Sequence, residues 1–435
     1  MKIFLFFLII SLRFNLAFPQ SIPMNHFEYK SLEMLFDAGE KWNSLTIFSP
    51  FNVDSNSLSH IDGLFGFDFE DNSFSLHTFG YLKYRSNYYC YFSPTLINKN
   101  SGFNTFDIRQ SGLGFENSWV KIQIRKGNES WGAGNNIQLA LSRSSKVYDY
   151  FLLASDYGKI RVSFINGFLE NIKPNTNRYI TARGLEYTNK KSLIIGLSEI
   201  VVYSGENRSF DLAYLNPISS HLEIELNNRL NVLGSENSNA VWQFHIDYLF
   251  KEKVRISFNY LIDEFILDPK IEIGKENGKA YSCRIAYTPN IIKNKYFTIY
   301  SSFVLVGTPT FRHGGTGSNN FVQHGKPLGW KEGSDGQEFR IGINYFNTKN
   351  LIVNVVTGFL KYGEENISKR SYEPYKDYLK GNFPSGLIER SNYRKIEFTY
   401  LHRENYSISS SFYLSSKLNK IILKLNFPFF NLSRT

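Results

Sequence analysis

Apolar and polar residues alternate along most of the chain between residues 74 and 427, in stretches of about ten residues separated by short polar breaks. From Val254 to Ile262 the alternation is regular, and its polar positions include Arg255 and Asn259. A period of two is the period of a β-strand. A protein core does not accept unpaired charges. The pattern therefore favours strands in a wall with lipid on one side and a polar lumen on the other.

The N-terminus has the pattern of an export signal. Lys2 precedes an apolar run from Ile3 to Leu12, and Ala17 ends a plausible cleavage site. A run this short does not span a bilayer as a helix. We expect residues 1–17 to be a signal peptide, with cleavage between residues 17 and 21. No run of about 18 apolar residues follows, so a mature protein integral to a membrane would be a barrel in the outer membrane of a Gram-negative bacterium.

The repeated pattern predicts an all-β fold, a transmembrane antiparallel β-barrel of about 18 strands over residues 73–430. Bacterial barrels of a single chain have an even number of strands. The ninth predicted strand has the weakest pattern, so sixteen strands stay an alternative. The predicted strands lie near 74–86, 88–97, 116–126, 136–144, 148–156, 159–169, 178–188, 192–204, 220–228, 240–250, 254–267, 279–288, 296–307, 338–346, 351–362, 394–403, 406–416 and 420–427.

Residues 22–72 precede this region and have a different pattern. Apolar residues three and four positions apart follow Ser31 as far as Phe36, which predicts one short helix with Ser31 as its cap. We expect residues 22–72 to form a short helical or irregular segment on the periplasmic side, where it would close the barrel as a plug. A loosely packed arm is the alternative.

The connections between predicted strands alternate between short and long. The short ones are 251–253, 289–295, 347–350 and 404–405, and the long ones are 229–239, 268–278, 308–337 and 363–393. Outer-membrane barrels keep their periplasmic turns short and let their extracellular loops grow. We therefore expect the long connections at the cell surface, although the short turn at 417–419 lies on the same side.

Charge changes the picture of the lumen. The formal net charge is +10, and aromatic residues make up 17% of the chain, as the girdles of a barrel require. A basic lumen could attract anionic polymers or solutes, or its charges could form ion pairs that brace the barrel; both interpretations stay open. The polar faces carry Lys121, Arg125, Arg161, Arg255, Arg284, Arg340, Lys395 and Lys424 against Asp247, Asp263, Glu338 and Glu397.

Aromatic and basic residues also concentrate in the two longest connections. Aromatic side chains can stack on sugar rings, and Arg or Lys pairs with uronate or phosphate. This composition predicts a polysaccharide-binding surface, with an ordinary solvated loop as the alternative for any single residue. The candidates are Arg312, His313, His324, Lys326, Trp330, Lys331, Tyr372, Tyr375, Lys376 and Tyr378.

Motifs of enzymes are weak in this sequence. The eight histidines are scattered without the spacing of metal ligands, and there is no nucleophile elbow. We expect no catalytic residue, no cofactor and no metal site. A hydrolase assembled from neighbouring strands around His245 or His402 stays an alternative.

Several short motifs resemble the Wzi capsule-assembly family of outer-membrane barrels. They are Trp131–Asn136 running into Leu139–Ser142, then Arg183–Glu186, Gly196–Glu199, Leu215–Pro217 and Pro327–Gly329, in the family's order. By themselves, the residues of the first motif predict a tight turn with the tryptophan at a membrane boundary. We interpret Trp131, Gly132, Gly134, Glu199, Asn216 and Pro217 as structural.

The resemblance implies an eighteen-stranded barrel that is closed by a helical plug and holds capsular or exported polysaccharide on the cell. We therefore expect a non-enzymatic, lectin-like barrel with an anionic capsular polysaccharide or exopolysaccharide as its ligand. Its other expected partners are outer-membrane lipids and the polysaccharide export machinery, and nucleic acid is not expected. A channel for anionic solutes is the main alternative.

Overall fold

The structure, a computed structural model, describes residues 59–434 with short gaps. The gaps are 71–72, 86, 100–102, 118, 173–174, 190, 230–237, 252, 264–273, 275, 290–294, 314–316, 348–350, 376–380, 403–405 and 417–418. The predicted signal peptide and the helix predicted at Ser31 lie outside the described residues.

Eighteen strands form one closed antiparallel barrel. Each strand of the barrel pairs with the next barrel strand along the chain, and the first strand also pairs with the last, which closes the sheet. A small ladder of two short strands, Val322–Gln323 and Lys326–Pro327, lies outside this sheet. The strands are β1 Ser59–Glu70, β2 Ser73–Tyr84, β3 Tyr88–Lys99, β4 Phe103–Glu116, β5 Val120–Gly127, β6 Tyr148–Asp156, β7 Ile160–Phe168, β8 Thr176–Thr188, β9 Leu193–Glu206, β10 Ser238–Phe250, β11 Val254–Ile262, β12 Lys279–Tyr287, β13 Lys295–Val306, β14 Val322–Gln323, β15 Lys326–Pro327, β16 Gly336–Asn347, β17 Leu351–Tyr362, β18 Glu389–His402, β19 Tyr406–Ser415 and β20 Asn419–Arg434.

The alternation seen in the sequence is the alternation between the two faces of this wall. In β11, Arg255 and Asn259 are buried inside the barrel, whereas Ile256 and Tyr260 are 43% and 37% exposed on its outside. A soluble β-sandwich would show the opposite arrangement, with the apolar face buried. The prediction of a transmembrane barrel with 18 strands is confirmed.

Two of the predicted strands are wrong, and two real strands take their place in the count. Segment 136–144 is irregular and lies inside the barrel, and segment 220–228 is mainly a helix, α1 His221–Leu226. Strand β1 lies within the region predicted to precede the barrel, and β4 lies in a stretch that had no predicted strand. The last strand ends at Arg434, later than predicted.

Segment 220–228 is helical because its first residues satisfy a helix N-terminus. The Ser220 side chain accepts a hydrogen bond from the Glu223 amide at 3.2 Å, which caps α1. A 3-10 helix, Leu212–Leu215, precedes α1 in the same connection. Among the described residues, none of the helices has the length and apolar character needed to cross a bilayer.

All the long connections leave the same end of the barrel, in agreement with the predicted alternation of short and long connections. They include 128–147 between β5 and β6, 207–237 between β9 and β10, 307–335 between β13 and β16, and 363–388 between β17 and β18. We call this the long-connection end. The opposite end has turns such as 251–253.

Two of these connections fold back into the lumen. They are 128–147 and 307–335. Trp131 and Leu139 of connection 128–147 pack with Phe321 and Leu328 of connection 307–335, in a cluster that also contains lumen-facing wall residues such as Val241. The Trp330 amide donates a hydrogen bond to the Leu139 carbonyl at 3.0 Å, which ties the two connections together. The described part of the lumen is therefore partly filled by connections between strands.

Candidate functional site

Residues 128–147, which we call the inner segment, are held by polar side chains of the lumen wall. The Asn259 amide group binds both backbone groups of Ala133: Oδ1 accepts from the amide at 2.6 Å, and Nδ2 donates to the carbonyl at 3.0 Å. Ser282 Oγ donates to the Ile137 carbonyl at 2.7 Å. Irregular backbone needs such partners when it is buried, so the polar face of β11 and β12 matches the inner segment.

The glycine at the start of the family-like motif allows this close approach. Gly132 has a φ of +114°, and a Cβ atom added to it would lie 2.6 Å from Asn259 Oδ1. Trp131 is fully buried inside the barrel, and its indole Nε1 donates to Glu129 Oε2 at 3.2 Å. The prediction that Trp131 lies at a membrane boundary is wrong, because the inner segment turns into the lumen.

Ion pairs brace the half of the barrel that holds the inner segment. Arg161 Nη2 lies 2.8 Å from Glu186 Oε2. His245 Nε2 lies 2.8 Å from the other oxygen of the same carboxylate. Arg255 Nε donates to Asp247 Oδ1 at 2.8 Å. In this half the bracing interpretation of the lumen charges is therefore supported. Arg125 fits it too, with Nη1 3.5 Å from Glu129 Oε1.

The other half of the lumen contains a cavity of about 740 Å³, which we call the lumenal cavity. Its volume lies within the range of about 300–1,000 Å³ that is usual for small-molecule sites. The lumen-facing residues of β12, β13 and β16–β20 form its wall, and the inner segment and residues 330–331 form its other side. Many hydroxyl and amide side chains, such as Asn344 and Ser411, line it and can bind a polar ligand.

Seven basic side chains and one carboxylate, Glu397, line the lumenal cavity. The basic residues are Arg143, Arg284, Lys331, Arg340, Lys395, Lys420 and Lys424. Three of them have nearby carboxylates: Lys395 Nζ lies 2.7 Å from Glu397 Oε1, Lys331 Nζ lies 3.0 Å from Glu332 Oε1, and Arg340 Nε lies 3.4 Å from Glu338 Oε2. Among the described residues, the cavity lining together with Glu332 and Glu338 contains seven basic side chains and three carboxylates. The surroundings of the cavity are therefore strongly basic.

The basic residues that the connections contribute stay charged at neutral pH. Burial lowers the pKa of Arg143 to about 10, which is still well above neutral. Burial also acts to lower the pKa of Lys331, but the charges of Glu332 and Glu338 outweigh it and raise that pKa above its usual value. Both side chains therefore offer a positive charge to an anionic group in the cavity.

Glu338 fixes the aromatic side of the cavity. Trp330 Nε1 donates to Glu338 Oε2 at 3.3 Å, and the Tyr393 hydroxyl donates to Glu338 Oε1. The rings of Tyr393 and Tyr413 stack with centroids 5.4 Å apart, and the Arg284 guanidinium lies over the Tyr300 ring. Rigid aromatic surfaces, hydroxyls and cations in one cavity can bind an acidic sugar by stacking, hydrogen bonds and ion pairs together.

The structure divides the residues predicted in the long connections into groups. Trp330 and Lys331 line the lumenal cavity. Other predicted residues hold the connections together: Arg312 is buried and pairs with Glu365, and its guanidinium lies over the Tyr375 ring. The Tyr372 hydroxyl likewise donates to Glu170 and accepts from the Gly325 amide at 2.9 Å.

The other predicted residues that the structure describes do not line the lumenal cavity. His313 lies where its carbonyl accepts from the Tyr375 amide at 3.1 Å. His324 and Lys326 are exposed at the turn between β14 and β15. Lys376 and Tyr378 lie outside the described residues. Glu199, Asn216 and Pro217 belong to the outer face of the barrel.

Tyr300, Tyr393, Tyr413, Arg143 and Lys420 line the cavity but were not predicted from the sequence. A signal for two of them was present, because Tyr393 and Tyr413 are two residues from Lys395 and Ser411, which face the same lumen. Residues at i and i+2 of a strand share a face. Within the described part of the chain, no group of three or more His, Cys, Asp and Glu residues could hold a metal ion.

No model of a protein family matches this chain, and no curated protein matches it in sequence. Solved structures match it in fold. One is Wzi, an outer-membrane protein involved in group 1 capsule assembly in Escherichia coli and described as a carbohydrate-binding β-barrel. It has a TM-score of 0.59 and 12% identity, covering 86% of this chain and 85% of that chain.

Two structures from Pseudomonas aeruginosa are less similar. OprD has a TM-score of 0.47 and 10% identity, covering 87% of this chain and 96% of its own. OccK5 has a TM-score of 0.48 and 8% identity, covering 86% of this chain and 99% of its own. At such identities the similarity concerns the fold alone. The chain therefore has the fold of outer-membrane β-barrels.

Proposed function

We propose that this protein is an outer-membrane barrel that binds an anionic polysaccharide, capsular or exported, and attaches it to the cell surface without cleaving it. The observation that supports this proposal is the lumenal cavity, with seven basic residues, four aromatic residues and one carboxylate in its lining. The similarity in fold to Wzi, a carbohydrate-binding barrel, is consistent with it.

The proposal places the long-connection end at the cell surface, as short periplasmic turns require. A polymer that approached from that side would meet Trp330 and Lys331 first, and then Lys395 and Lys424 deeper in the barrel. The site therefore combines two residues predicted from the connections with wall residues predicted as part of a basic lumen.

Binding to the purified barrel tests this proposal. The probes are alginate, a polymer of uronates, and dextran, a neutral polymer. We expect alginate to bind with an affinity that falls as the salt concentration rises, because charges in a partly solvated cavity are screened. Dextran should bind weakly or not at all. Equal binding of the two polymers would contradict an anionic ligand, and binding of neither would contradict the proposal.

A double variant locates the binding site. In Lys395→Gln/Lys424→Gln, two partly solvated ion pairs worth about 0.2–1 kcal/mol each are lost, so the affinity for alginate should fall about 2- to 30-fold. The control is Lys191→Gln, which changes an exposed lysine in a turn at the opposite end of the barrel. An affinity that is unchanged in the double variant would place the binding site outside the lumenal cavity.

A channel for anionic solutes is the second candidate, and the basic lining of the cavity favours it. The conductance of the purified protein in planar bilayers distinguishes the two functions. A binding barrel filled by its own connections should pass little current, whereas a channel should pass a steady current with preference for anions. In cells, loss of a polysaccharide-binding barrel should release polymer into the medium while synthesis continues.

A further inference from the structure

The connection between β9 and β10 lies against the outer face of the barrel. Its described part, residues 207–229, contains the 3-10 helix and α1, and we call it the outer segment. Val201 and Tyr203 lie on the face of β9 that points away from the lumen, yet both are fully buried. They pack in one cluster with Tyr214 and Ile224 of the outer segment. The outer segment therefore covers part of the outer wall.

Polar contacts fix the outer segment to the wall. The His221 amide donates to both carboxylate oxygens of Glu199 at 3.0 Å. Arg183 Nη1 donates to the Asn216 carbonyl at 3.3 Å. On the wall itself, Arg183 Nε lies 3.3 Å from Glu199 Oε2, and Trp242 Nε1 donates to Glu199 Oε1 at 3.0 Å. The outer segment is thus attached through an ion pair on the outer wall.

This ion pair explains why the wall needs a cover. Arg183 and Glu199 are directly paired in the ladder of β8 and β9, and both side chains point away from the lumen. Charged side chains that face lipid from a barrel wall are unfavourable. The outer segment shields them, and it satisfies the carboxylate with backbone hydrogen bonds.

Several aliphatic side chains of the outer segment are exposed and point away from the wall, and the exposed Glu223–Arg229 ion pair lies in the same segment. In α1, His221 and Ile224 point to the wall, while Leu222 and Leu226, four residues apart, point outward. The exposed apolar side chains are Leu212 (72%), Leu215 (38%), Ile218 (89%), Leu222 (53%) and Leu226 (72%). A patch of five aliphatic side chains is unfavourable in water and marks a contact surface.

This patch continues the apolar outer wall. Two residues along the ladder from the Arg183–Glu199 pair, toward the short-turn end, Leu185 faces Leu197, and Leu197 faces Phe244 on the next strand. All three are exposed on the outside of the barrel. The outward face of a barrel at this level contacts the acyl chains of the bilayer.

We propose that the outward face of the outer segment is embedded in the hydrocarbon of the membrane leaflet that meets the long-connection end. The partner is lipid acyl chains, and the contact residues are Ile218, Leu222 and Leu226. The outer segment therefore extends the lipid-facing surface over an ion pair that lipid would otherwise meet. This inference rests on the membrane placement of the barrel and is independent of what the lumenal cavity binds.

Fluorescence quenching by brominated lipids tests the inference. The two native cysteines, Cys90 and Cys283, are first replaced by alanine. Leu222→Cys and Leu226→Cys variants are then labelled with bimane and placed in vesicles of phosphatidylcholine brominated on its acyl chains. Leu197→Cys on the bare wall gives the signal of full lipid contact, and Lys191→Cys in an exposed turn gives the signal of water. Folding of each variant is checked by its heat-dependent migration in gels.

We expect the labels at residues 222 and 226 to be quenched at least half as strongly as the label at residue 197. Quenching at 197 together with a water-like signal at both 222 and 226 would overturn the inference and leave the membrane placement intact. Cross-linking between copies at residue 222, with no quenching there, would show that a second copy of the chain covers this face and would also overturn it. A failure of alginate to bind would not affect this result.

Discussion

The Asn259 side chain should control whether the inner segment stays docked in the lumen. Asn259→Ala removes the partner of both the amide and the carbonyl of Ala133. A buried backbone group that loses its partner costs about 1–3 kcal/mol, so the docked state should lose at least about 2 kcal/mol. This value corresponds to about a 30-fold increase in the undocked population.

Hydrogen exchange of the backbone amides measures this population directly. In detergent micelles, the amides of Ala133 and Ala140, which both bond to wall side chains, should exchange about 30-fold faster in Asn259→Ala than in the parent protein. The amides of barrel strands should not change. If undocking opens the lumen, the conductance in planar bilayers should rise in the same variant.

The matched control is Asn354→Ala, which removes the same amide group from another position in the lumen. The Asn354 side chain contacts Glu397 at 2.8 Å and the Tyr300 hydroxyl at 3.5 Å, and neither residue belongs to the inner segment. Exchange at Ala133 that is as slow in Asn259→Ala as in the control would refute the reasoning. It would mean that the apolar cluster alone holds the inner segment.

Three further predictions follow from single contacts. Gly132→Ala should lower the melting temperature, because the new Cβ would meet Asn259. The control Gly158→Ala, at a glycine with a positive φ but open space, should lower it less, and equal effects would contradict a role for close approach. Arg312→Met should speed proteolysis within residues 363–388, because the ion pair with Glu365 and the hydrogen bond to the Pro374 carbonyl are lost. Arg370→Met at an exposed site is the control, and equal rates of proteolysis in the two variants would contradict the prediction. Burial, followed by the hydrogen bond to Glu170, raises the pKa of Tyr372 from 10.0 to about 12, so the stability from its protonated phenol is complete below pH 10 and lost as the pH rises through about 12. Above pH 10 the melting temperature of the parent protein should therefore fall more steeply than that of Tyr372→Phe, and parallel curves would disprove this.

The barrel could be predicted from the sequence because its wall meets two different solvents. In β11 the difference between Ile256 and Arg255 reflects lipid on one side and a polar lumen on the other, and every residue of the strand except Leu261, which packs in the apolar cluster inside the lumen, carries that signal. Strand β9 shows where this signal fails. Val201 and Tyr203 point outward but are buried by the outer segment, so their apolar character gives no information about lipid.

The two wrong strands have a common physical cause. The inner segment alternates in polarity at Ile137, Gln138 and Leu139 because Ile137 and Leu139 pack in the apolar cluster while Gln138 lines the lumenal cavity, and this alternation mimics a strand. Residues 220–228 alternate because Ile224 packs on the outer wall while Leu222 and Leu226 are exposed on the other side of α1. Sequence periodicity reports the environment on two sides of a segment and does not report its hydrogen bonds.

Part of the candidate site could be predicted. The inward direction of Lys395 and Lys424 followed from strand phase, and Trp330 and Lys331 followed from the composition of a long connection. That these groups meet in one cavity, while Arg312 and Tyr372 serve to hold connections together, depends on how two connections fold into the lumen. Long-range contacts of that kind leave no periodic signal in the sequence.

The seam between β1 and β20 places a condition on how the protein is made. Ser59 pairs with Arg434, and Glu70 pairs with Ile422. The barrel therefore closes only when the first and the last described strands pair with each other. Until β20, Asn419–Arg434, has been synthesised and delivered, β1 has a free hydrogen-bonding edge. A product truncated before Asn419 would keep two such edges and would be prone to join other chains. Cells that make this barrel must therefore protect an unsealed sheet during its export.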